Sequence, residues 1–122
     1  MTFYVCAHCG NIIAYMKKTG VPVMCCGEKM QELVPGASDG AAEKHVPVVK
    51  TDGAKVTVEI GSVEHPMVEA HWIEWIVLET QKGFQKVDLR PGQAPRAEFV
   101  LAEGDKAVSA YAYCNLHGLW KA

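Results

Sequence analysis

Four cysteines within the first 26 residues constrain this chain more than any other feature. Cys6 and Cys9 form a C-x-x-C pair, and Cys25 and Cys26 follow after fifteen intervening residues. Four thiolates suit a tetrahedral metal, either zinc or a single iron. A segment of about 35 residues is too short to bury a sufficient core of its own, so it needs a stabilising element such as a bound metal. We therefore predict a small N-terminal domain built around one metal ion.

The second cysteine pair is adjacent in sequence, which places a condition on the backbone. Successive side chains of an extended chain point to opposite faces, so Cys25 and Cys26 share a metal only if the chain bends there. His8 lies between Cys6 and Cys9. We expect it to face solvent, because four sulfurs already fill a tetrahedral shell. Two other interpretations stay open at this point: free or oxidised cysteines, and a structural zinc site.

The rest of the chain shows the pattern of short strands separated by turns. Val56, Val58 and Ile60 share one face of AKVTVEI, whereas HWIEWIVLE is apolar on both faces for part of its length. The stretches FQKVDL, RAEFVLA and AVSAYAYC follow, with turn sequences such as RPGQAP and EGDK between them. No window shows sustained helical periodicity. The pattern predicts a mainly β fold, an antiparallel sandwich, preceded by VPGASDGAAEKHVP as a linker or long loop.

A lone cysteine and four histidines outside the first 35 residues form a second candidate set. Each histidine lies in or beside a turn-like sequence and, taken alone, would more often be an ordinary surface or hydrogen-bonded residue. Imidazole and thiolate together suit a borderline metal such as iron. Five ligands leave one octahedral position open, which indicates chemistry at the metal. The set consists of His45, His65, His71, Cys114 and His117.

Composition excludes several other classes of function. The 122 residues carry a net charge of -2 without a basic block, which argues against nucleic acid as a partner. The longest apolar stretch, WIVL, is far too short to span a membrane. The N-terminal sequence MTFYVCAHCG lacks the pattern of a secretory signal, so we expect a cytoplasmic protein. Clustered cysteines in that compartment more often hold metal or react than form disulfides. Trp72, Trp75 and Tyr113, at strand spacing, are interpreted as core or cross-strand packing rather than as an electron relay.

The chain resembles the desulfoferrodoxins, the two-iron superoxide reductases, along essentially its whole length. The matching motifs are CAHCG, CCG, DGAAEKHVP, GSVEHPM, HWIEWI and YCNLHG, in the family's order and spacing. The resemblance implies a desulforedoxin-like domain over residues 1–36, with an iron held by the four cysteines. It also implies an immunoglobulin-like antiparallel β-sandwich over residues 37–122, with a square-pyramidal iron. By motif, Cys114 is the axial ligand of that second iron, and the equatorial ligands are His45, His65, His71 and His117.

The same resemblance implies an activity and partners. The second iron would reduce superoxide to hydrogen peroxide with electrons from a rubredoxin-like donor, in a homodimer with two iron ions per chain. Glu43 and Lys44 match the family's mobile carboxylate and catalytic lysine. Lys44 would attract superoxide and orient a proton-donating water, and Glu43 would bind the oxidised iron once product leaves. Without the resemblance, the two residues would be interpreted as a solvated charge pair. The alternative function is a non-enzymatic iron electron-transfer protein, which the first site alone would support.

Overall fold

The computed structural model describes all 122 residues, which form two compact units, Met1–Val34 and Pro35–Ala122. The regular secondary structure of both units is almost entirely antiparallel β, so the predicted mainly β fold with a small cysteine-bearing unit at the N-terminus is confirmed. The one helix, Ala42–His45, has four residues and is much too short to cross a membrane.

The first unit is built from five very short strands. They are β1 (Phe3–Val5), β2 (Ile12–Ala14), β3 (Met24–Cys25), β4 (Glu28–Lys29) and β5 (Gln31–Glu32). The sheet has the order β2-β1-β5, and β3 pairs with β4 as a separate ribbon. Its buried apolar residues are Phe3, Cys6 and Met30. Such a small core offsets little of the conformational entropy lost on folding, in agreement with a unit that depends on a metal.

The second unit contains one short helix followed by two antiparallel sheets. The elements are α1 (Ala42–His45), β6 (Pro47–Asp52), β7 (Lys55–Ile60), β8 (Ile73–Thr80), β9 (Phe84–Asp88), β10 (Arg96–Val100), β11 (Ala107–Cys114) and β12 (Gly118–Lys121). One sheet has the strand order β10-β7-β6 and the other has the order β12-β11-β8-β9.

Alternation of apolar side chains explains how the two sheets form a sandwich. Val56, Val58 and Ile60 point inward from β7, each with 1% exposure or less. On β8, which lies between β11 and β9, residues on both faces are buried, as the sequence predicted. The two sheets contribute to a single core. Its members are Val56, Val58, Ile60, Ile73, Ile76, Leu78, Ala97, Phe99, Leu101, Ala110, Ala112 and Cys114.

Cross-strand packing also accounts for one aromatic pair. Trp75 lies directly opposite Tyr113 across β8 and β11. Their rings stack with centroids 5.6 Å apart and an interplanar angle of 9°. The prediction of core or cross-strand packing is confirmed for these two residues.

Two parts of the fold differ from the sequence-based expectation. The segment predicted to be a linker or long loop contains α1, and β6 and β12 were not anticipated. Most of β6 is exposed beyond Pro47 and Val48, so its sequence shows little hydrophobic alternation. Pairing with β7 over its whole length, from Pro47 opposite Ile60 to Asp52 opposite Lys55, makes it a strand.

Candidate metal centres

The structure brings the four N-terminal cysteines together. Their Sγ atoms all lie within 4.8 Å of one another, and the Sγ atoms of Cys9 and Cys25 are 3.6 Å apart. Cys26 adopts a left-handed backbone with φ of +51°, and Gly27 follows at +78°. A residue with a side chain rarely adopts this conformation. The bend that a shared metal requires at the adjacent cysteines is therefore present.

Hydrogen bonds and mutual repulsion give the thiols of Cys6 and Cys26 very different acidities. The backbone N–H of Cys9 donates to Cys6 Sγ at 3.5 Å. Together with the N–H of His8, it lowers the pKa of Cys6 to about 6. Hydrogen bonding with the thiols of Cys6, Cys9 and Cys25 raises the pKa of Cys26 to about 12. One thiolate forms readily, but four require a cation among the sulfurs. The set therefore fits a tetrahedral metal.

His8 is not among the groups that converge at this centre. Its Nε2 lies 3.1 Å from Glu28 Oε1, and both side chains are more than half exposed. The expectation that His8 faces solvent is confirmed.

The second candidate set converges from four places in the β-sandwich. His45 ends α1, and His65 lies in the segment after β7. His71 forms a two-residue bridge with Val68 just before β8. Cys114 ends β11, and His117 lies in the turn to β12. Strand pairing places Cys114 opposite both Ile73 and Gly118, which brings these chain segments to one end of the sheet.

Ring positions show that the four imidazoles occupy the corners of a square. Neighbouring ring centroids are 4.7 Å apart for His45 and His65, and 4.6 Å apart for His65 and His71. The distance is 5.1 Å from His71 to His117 and 4.8 Å from His117 to His45. The diagonal from His45 to His71 is longer, at 6.2 Å. Four equatorial ligands of one metal require an arrangement of this kind.

Distances between the donor atoms agree with a shared metal. His45 Nε2 is 3.2 Å from His65 Nε2 and 3.1 Å from His117 Nδ1. Imidazole nitrogens bind zinc at about 2.1 Å, so two of them at a right angle would be about 3.0 Å apart. Cys114 Sγ lies 3.9 Å from His117 Nδ1. The donor atoms of His45, His65, His71 and Cys114 are all within 4.8 Å of one another.

The hydrogen bonds of the rings direct particular nitrogens toward the centre. His45 Nδ1 donates to the Ala41 carbonyl at 2.7 Å, and His65 Nδ1 donates to the Pro66 carbonyl at 2.6 Å. Each Nε2 is thereby left with a lone pair for a metal. His71 Nε2 is buried with no hydrogen-bond partner. An unpartnered buried nitrogen is costly, and a metal would satisfy it.

Burial keeps three of these imidazoles neutral. It lowers the pKa of His45 and His71, and it lowers the pKa of His65 to about 4. Burial raises the pKa of the Cys114 thiol, although the backbone N–H groups of His117 and Leu116 oppose this effect. Neutral imidazoles can bind a metal, and a cation among them would favour the Cys114 thiolate.

Asn115 joins the ligand-bearing segments, a role that sequence reasoning missed. Its Oδ1 accepts from the Trp72 N–H at 2.9 Å, and its Nδ2 donates to the Ala70 carbonyl at 3.1 Å. Its own N–H donates to the Trp72 carbonyl at 3.2 Å. These bonds connect the segment around His71 to the turn that holds His117. In the sequence, an asparagine in a turn only indicates local turn geometry.

Glu43 and Lys44 are exposed on α1, within electrostatic reach of the second centre. The positive charge of Lys44 helps to lower the pKa of both His45 and His71, whereas the negative charge of Glu43 opposes the decrease at His45. The Glu43 carbonyl accepts hydrogen bonds from Val63 N at 2.9 Å and from Ser62 Oγ at 3.3 Å. The backbone of α1 is thus attached to the segment that follows β7.

Comparisons with known proteins agree with this arrangement. The family model described as desulfoferrodoxin matches residues 37–122. The desulfoferrodoxin of Nitratidesulfovibrio vulgaris is 51% identical over 119 residues, covering 98% of this chain and 93% of that protein. The superoxide reductase structure from Treponema pallidum superimposes with a TM-score of 0.84 at 37% identity, covering 99% of this chain and 97% of that one. A superoxide reductase (1Fe-SOR) from Giardia intestinalis has a TM-score of 0.58 at 36% identity, covering 66% and 95%.

Proposed function

This chain belongs to the desulfoferrodoxin family, and from that premise we propose that it is a superoxide reductase. Each superoxide would take up one electron and two protons and leave as hydrogen peroxide, without release of oxygen. The observation that carries the proposal is the square of four imidazoles beside a buried thiol. Five protein donors leave one octahedral position for a small ligand, unlike the closed shell of a structural site.

The two sets of donors match the iron sites of this family. We propose that the cysteine set would hold the first iron. The second iron would be held by His45, His65, His71, Cys114 and His117. When bound, the second iron supplies the electron for superoxide. Neutral imidazoles and one thiolate leave a ferrous centre with a net charge of about +1, which attracts an anion.

Lys44 and Glu43 have separate roles in this proposal. The Lys44 ammonium raises the local concentration of superoxide and orients a water that donates a proton. The Glu43 carboxylate would supply an anionic oxygen ligand for the oxidised iron. Support comes from the position of both residues, which are exposed on α1 directly before the candidate ligand His45.

The proposal includes a one-electron donor of the rubredoxin type and a homodimer joined partly through the first unit. Support for the dimer comes from apolar side chains that this small unit leaves in solvent. Met16 is 88% exposed, Val21 72% and Met24 58%. Pairing would bury part of this surface. We also propose a cytoplasmic location, where metal-bound thiolates are kept from disulfide formation. Sedimentation that shows a monomer at micromolar concentration would contradict the dimer.

Mixing the reduced protein with radiolytically generated superoxide tests the activity. We expect oxidation of the second iron, one hydrogen peroxide for each superoxide consumed, and no oxygen. The Cys114→Ser variant is the control: it should lose this reaction and keep the iron of the first site, because the two sets share no residue. Oxygen release would indicate dismutation, and an unreactive parent protein would favour an electron carrier.

Elemental analysis of protein grown with ample iron tests the cofactors. We expect two iron ions per chain. One iron with one zinc per chain would contradict the assignment of iron to the cysteine set, while leaving the second site unaffected.

A further inference from the structure

The ring of His117 is held differently from the rings of His45 and His65. His45 and His65 each donate Nδ1–H to a backbone carbonyl. His117 directs Nδ1 toward the centre, 3.1 Å from His45 Nε2, and its Nε2 has no hydrogen-bond partner within the chain. Histidine ligands almost always use their second nitrogen for orientation. Other contacts must therefore fix this ring.

Trp120 supplies contacts to this histidine and to its neighbour. The indole Nε1–H donates to the His117 carbonyl at 3.1 Å. The indole ring also stacks on the His45 imidazole, with centroids 4.8 Å apart and an interplanar angle of 25°. Trp120 is 5% exposed and held in β12, opposite Ala112 of β11. One rigid side chain therefore contacts the His45 ring and the backbone of His117, the residue that supplies the adjacent corner of the square.

The backbone at Gly40 packs against the same two rings. A Cβ at this position would lie 2.9 Å from His117 Cγ and 3.1 Å from His45 Cε1. Both distances are shorter than ordinary van der Waals contact. The rings of His45 and His117 therefore have little freedom to move toward residue 40, and Trp120 separately restricts the His45 ring and the His117 backbone.

We propose that Trp120 is a positioning residue of the second metal centre, fixing the plane of His45 by stacking and the backbone of His117 through its indole N–H. This inference rests on the proposed second metal site. The hydrogen bond from His45 Nδ1 to the Ala41 carbonyl sets the direction of the imidazole but permits the ring to rotate about the axis of that hydrogen bond. The stacked indole of Trp120 prevents that rotation. An indole combines an aromatic face and an N–H donor in one group.

Three variants separate a positioning role of Trp120 from a role in packing alone. Trp120→Phe keeps an aromatic face over His45 and loses the N–H donor. Trp120→Leu loses both. Trp75→Phe is the matched control, since Trp75 is also a buried tryptophan, 9% exposed, stacked on Tyr113. All three variants remove volume from the same sandwich, but only substitutions at residue 120 alter contacts to His45 and His117.

The measurement is the rate at which a ferrous chelator removes the second iron from the reduced two-iron protein. Loss of a group that orients a ligand typically weakens metal binding by about 10–100-fold. We expect an increase of that order in the release rate for Trp120→Leu, a smaller one for Trp120→Phe, and the parental rate for Trp75→Phe. The electron paramagnetic resonance spectrum of the oxidised second iron should change in both Trp120 variants, and the first iron should stay bound.

Equal release rates for Trp120→Leu and Trp75→Phe would overturn the inference, as would an unchanged spectrum in both Trp120 variants. Parallel loss of both irons would also overturn it, because it would indicate general loosening of the protein. None of these measurements uses superoxide. Failure of the proposed reductase activity would therefore be seen separately, in a protein whose metal release still depends on Trp120.

Discussion

Lys44 and Glu43 are adjacent on α1, yet their charges act on the second centre in opposite directions. Lys44 helps to lower the pKa of His45 and His71, and Glu43 opposes the decrease at His45. Both side chains are exposed, so substitution of either removes little packing. A comparison of the two residues therefore separates the effect of each charge from a general structural defect.

For Lys44→Ala, we expect slower superoxide capture, because the local positive field that attracts the anion is reduced. Electrostatic steering changes association rates by about tenfold or more, and salt screens it. The ionic-strength dependence of the rate should therefore become flatter. The capture rate is measured by rapidly mixing each reduced variant with pulse-generated superoxide. Lys50→Ala is the matched control, because Lys50 is exposed on β6 and pairs with Glu59 at 3.4 Å.

Glu43→Ala should leave the capture rate unchanged or slightly higher and shift the spectrum of the resting oxidised protein. If Lys44→Ala reacts as fast as the parent at low salt, Lys44 is only a solvated neighbour of the site.

Acid should destabilise the metal-free protein through His65, which is 2% exposed. Its pKa falls from an ordinary value of 6.5 to about 4 in the folded state. Between these values the unfolded chain binds a proton that the folded chain does not, so stability falls as pH is lowered. We expect a loss of up to about 3 kcal/mol from this residue across that window. Urea unfolding of apoprotein at several pH values measures it. A His65→Gln variant with the same slope as the parent would contradict the assignment.

At the scale of elements, α1 depends on the segment after β7. The helix has no side-chain hydrogen bond at its N-cap. Its stability comes instead from contacts such as Val63 N to the Glu43 carbonyl and Gly61 N to the Val46 carbonyl at 3.2 Å. Gly61 has a φ of +85°, and a Cβ there would overlap the Val63 carbonyl oxygen and lie 2.7 Å from the Lys44 carbonyl oxygen. Only glycine fits this position without displacement of α1.

Gly61→Ala should therefore displace α1, slow superoxide capture and lower the melting temperature. Gly53→Ala is the matched control, since Gly53 also has a positive φ, +59°, but no atom lies within 4 Å of a Cβ there. It should cost about 1 kcal/mol of backbone strain and leave capture unchanged. Equal capture rates for the two variants would show that Gly61 does not position Lys44.

Hydrophobic patterns in the sequence predicted some of these elements but not others. Alternation of apolar residues predicted β7, and apolar character on both faces predicted β8, because burial imposes those patterns directly. These hydrophobic patterns could not predict α1, which is held by backbone contacts to residues distant in sequence. Residue types and turn-like surroundings grouped His45, His65, His71, Cys114 and His117 into one candidate set, and the resemblance of motifs gave each a ligand role. Trp120 and Asn115 were missed, since the contacts of Trp120 require β12 to pair with β11 and those of Asn115 require β11 to pair with β8.

At the scale of the whole molecule, the two units carry two sets of candidate metal ligands that have no residue in common. Cys9→Ser should empty the first site, because its thiolate is one of only four donors there. The first unit should then lose protection against proteolysis, since a core of three buried apolar residues cannot hold it. The iron of the second site should remain, and superoxide capture should keep its parental rate. Metal analysis, limited proteolysis and kinetics of one preparation provide the test; loss of capture would show that the units are coupled.

The spacing of the ligands along the chain also orders the events of biosynthesis. The cysteine set is complete once residue 26 has been made, whereas His117 follows His45 by 72 residues. Because a ribosome builds the chain from its N-terminus and folding follows in that direction, the first metal can be acquired early. The reactive centre closes only after β11 has paired with β8. A nascent chain that stalls before Cys114 is translated therefore has three of the five donors, and iron that reacts with superoxide is confined to polypeptides whose sandwich is finished.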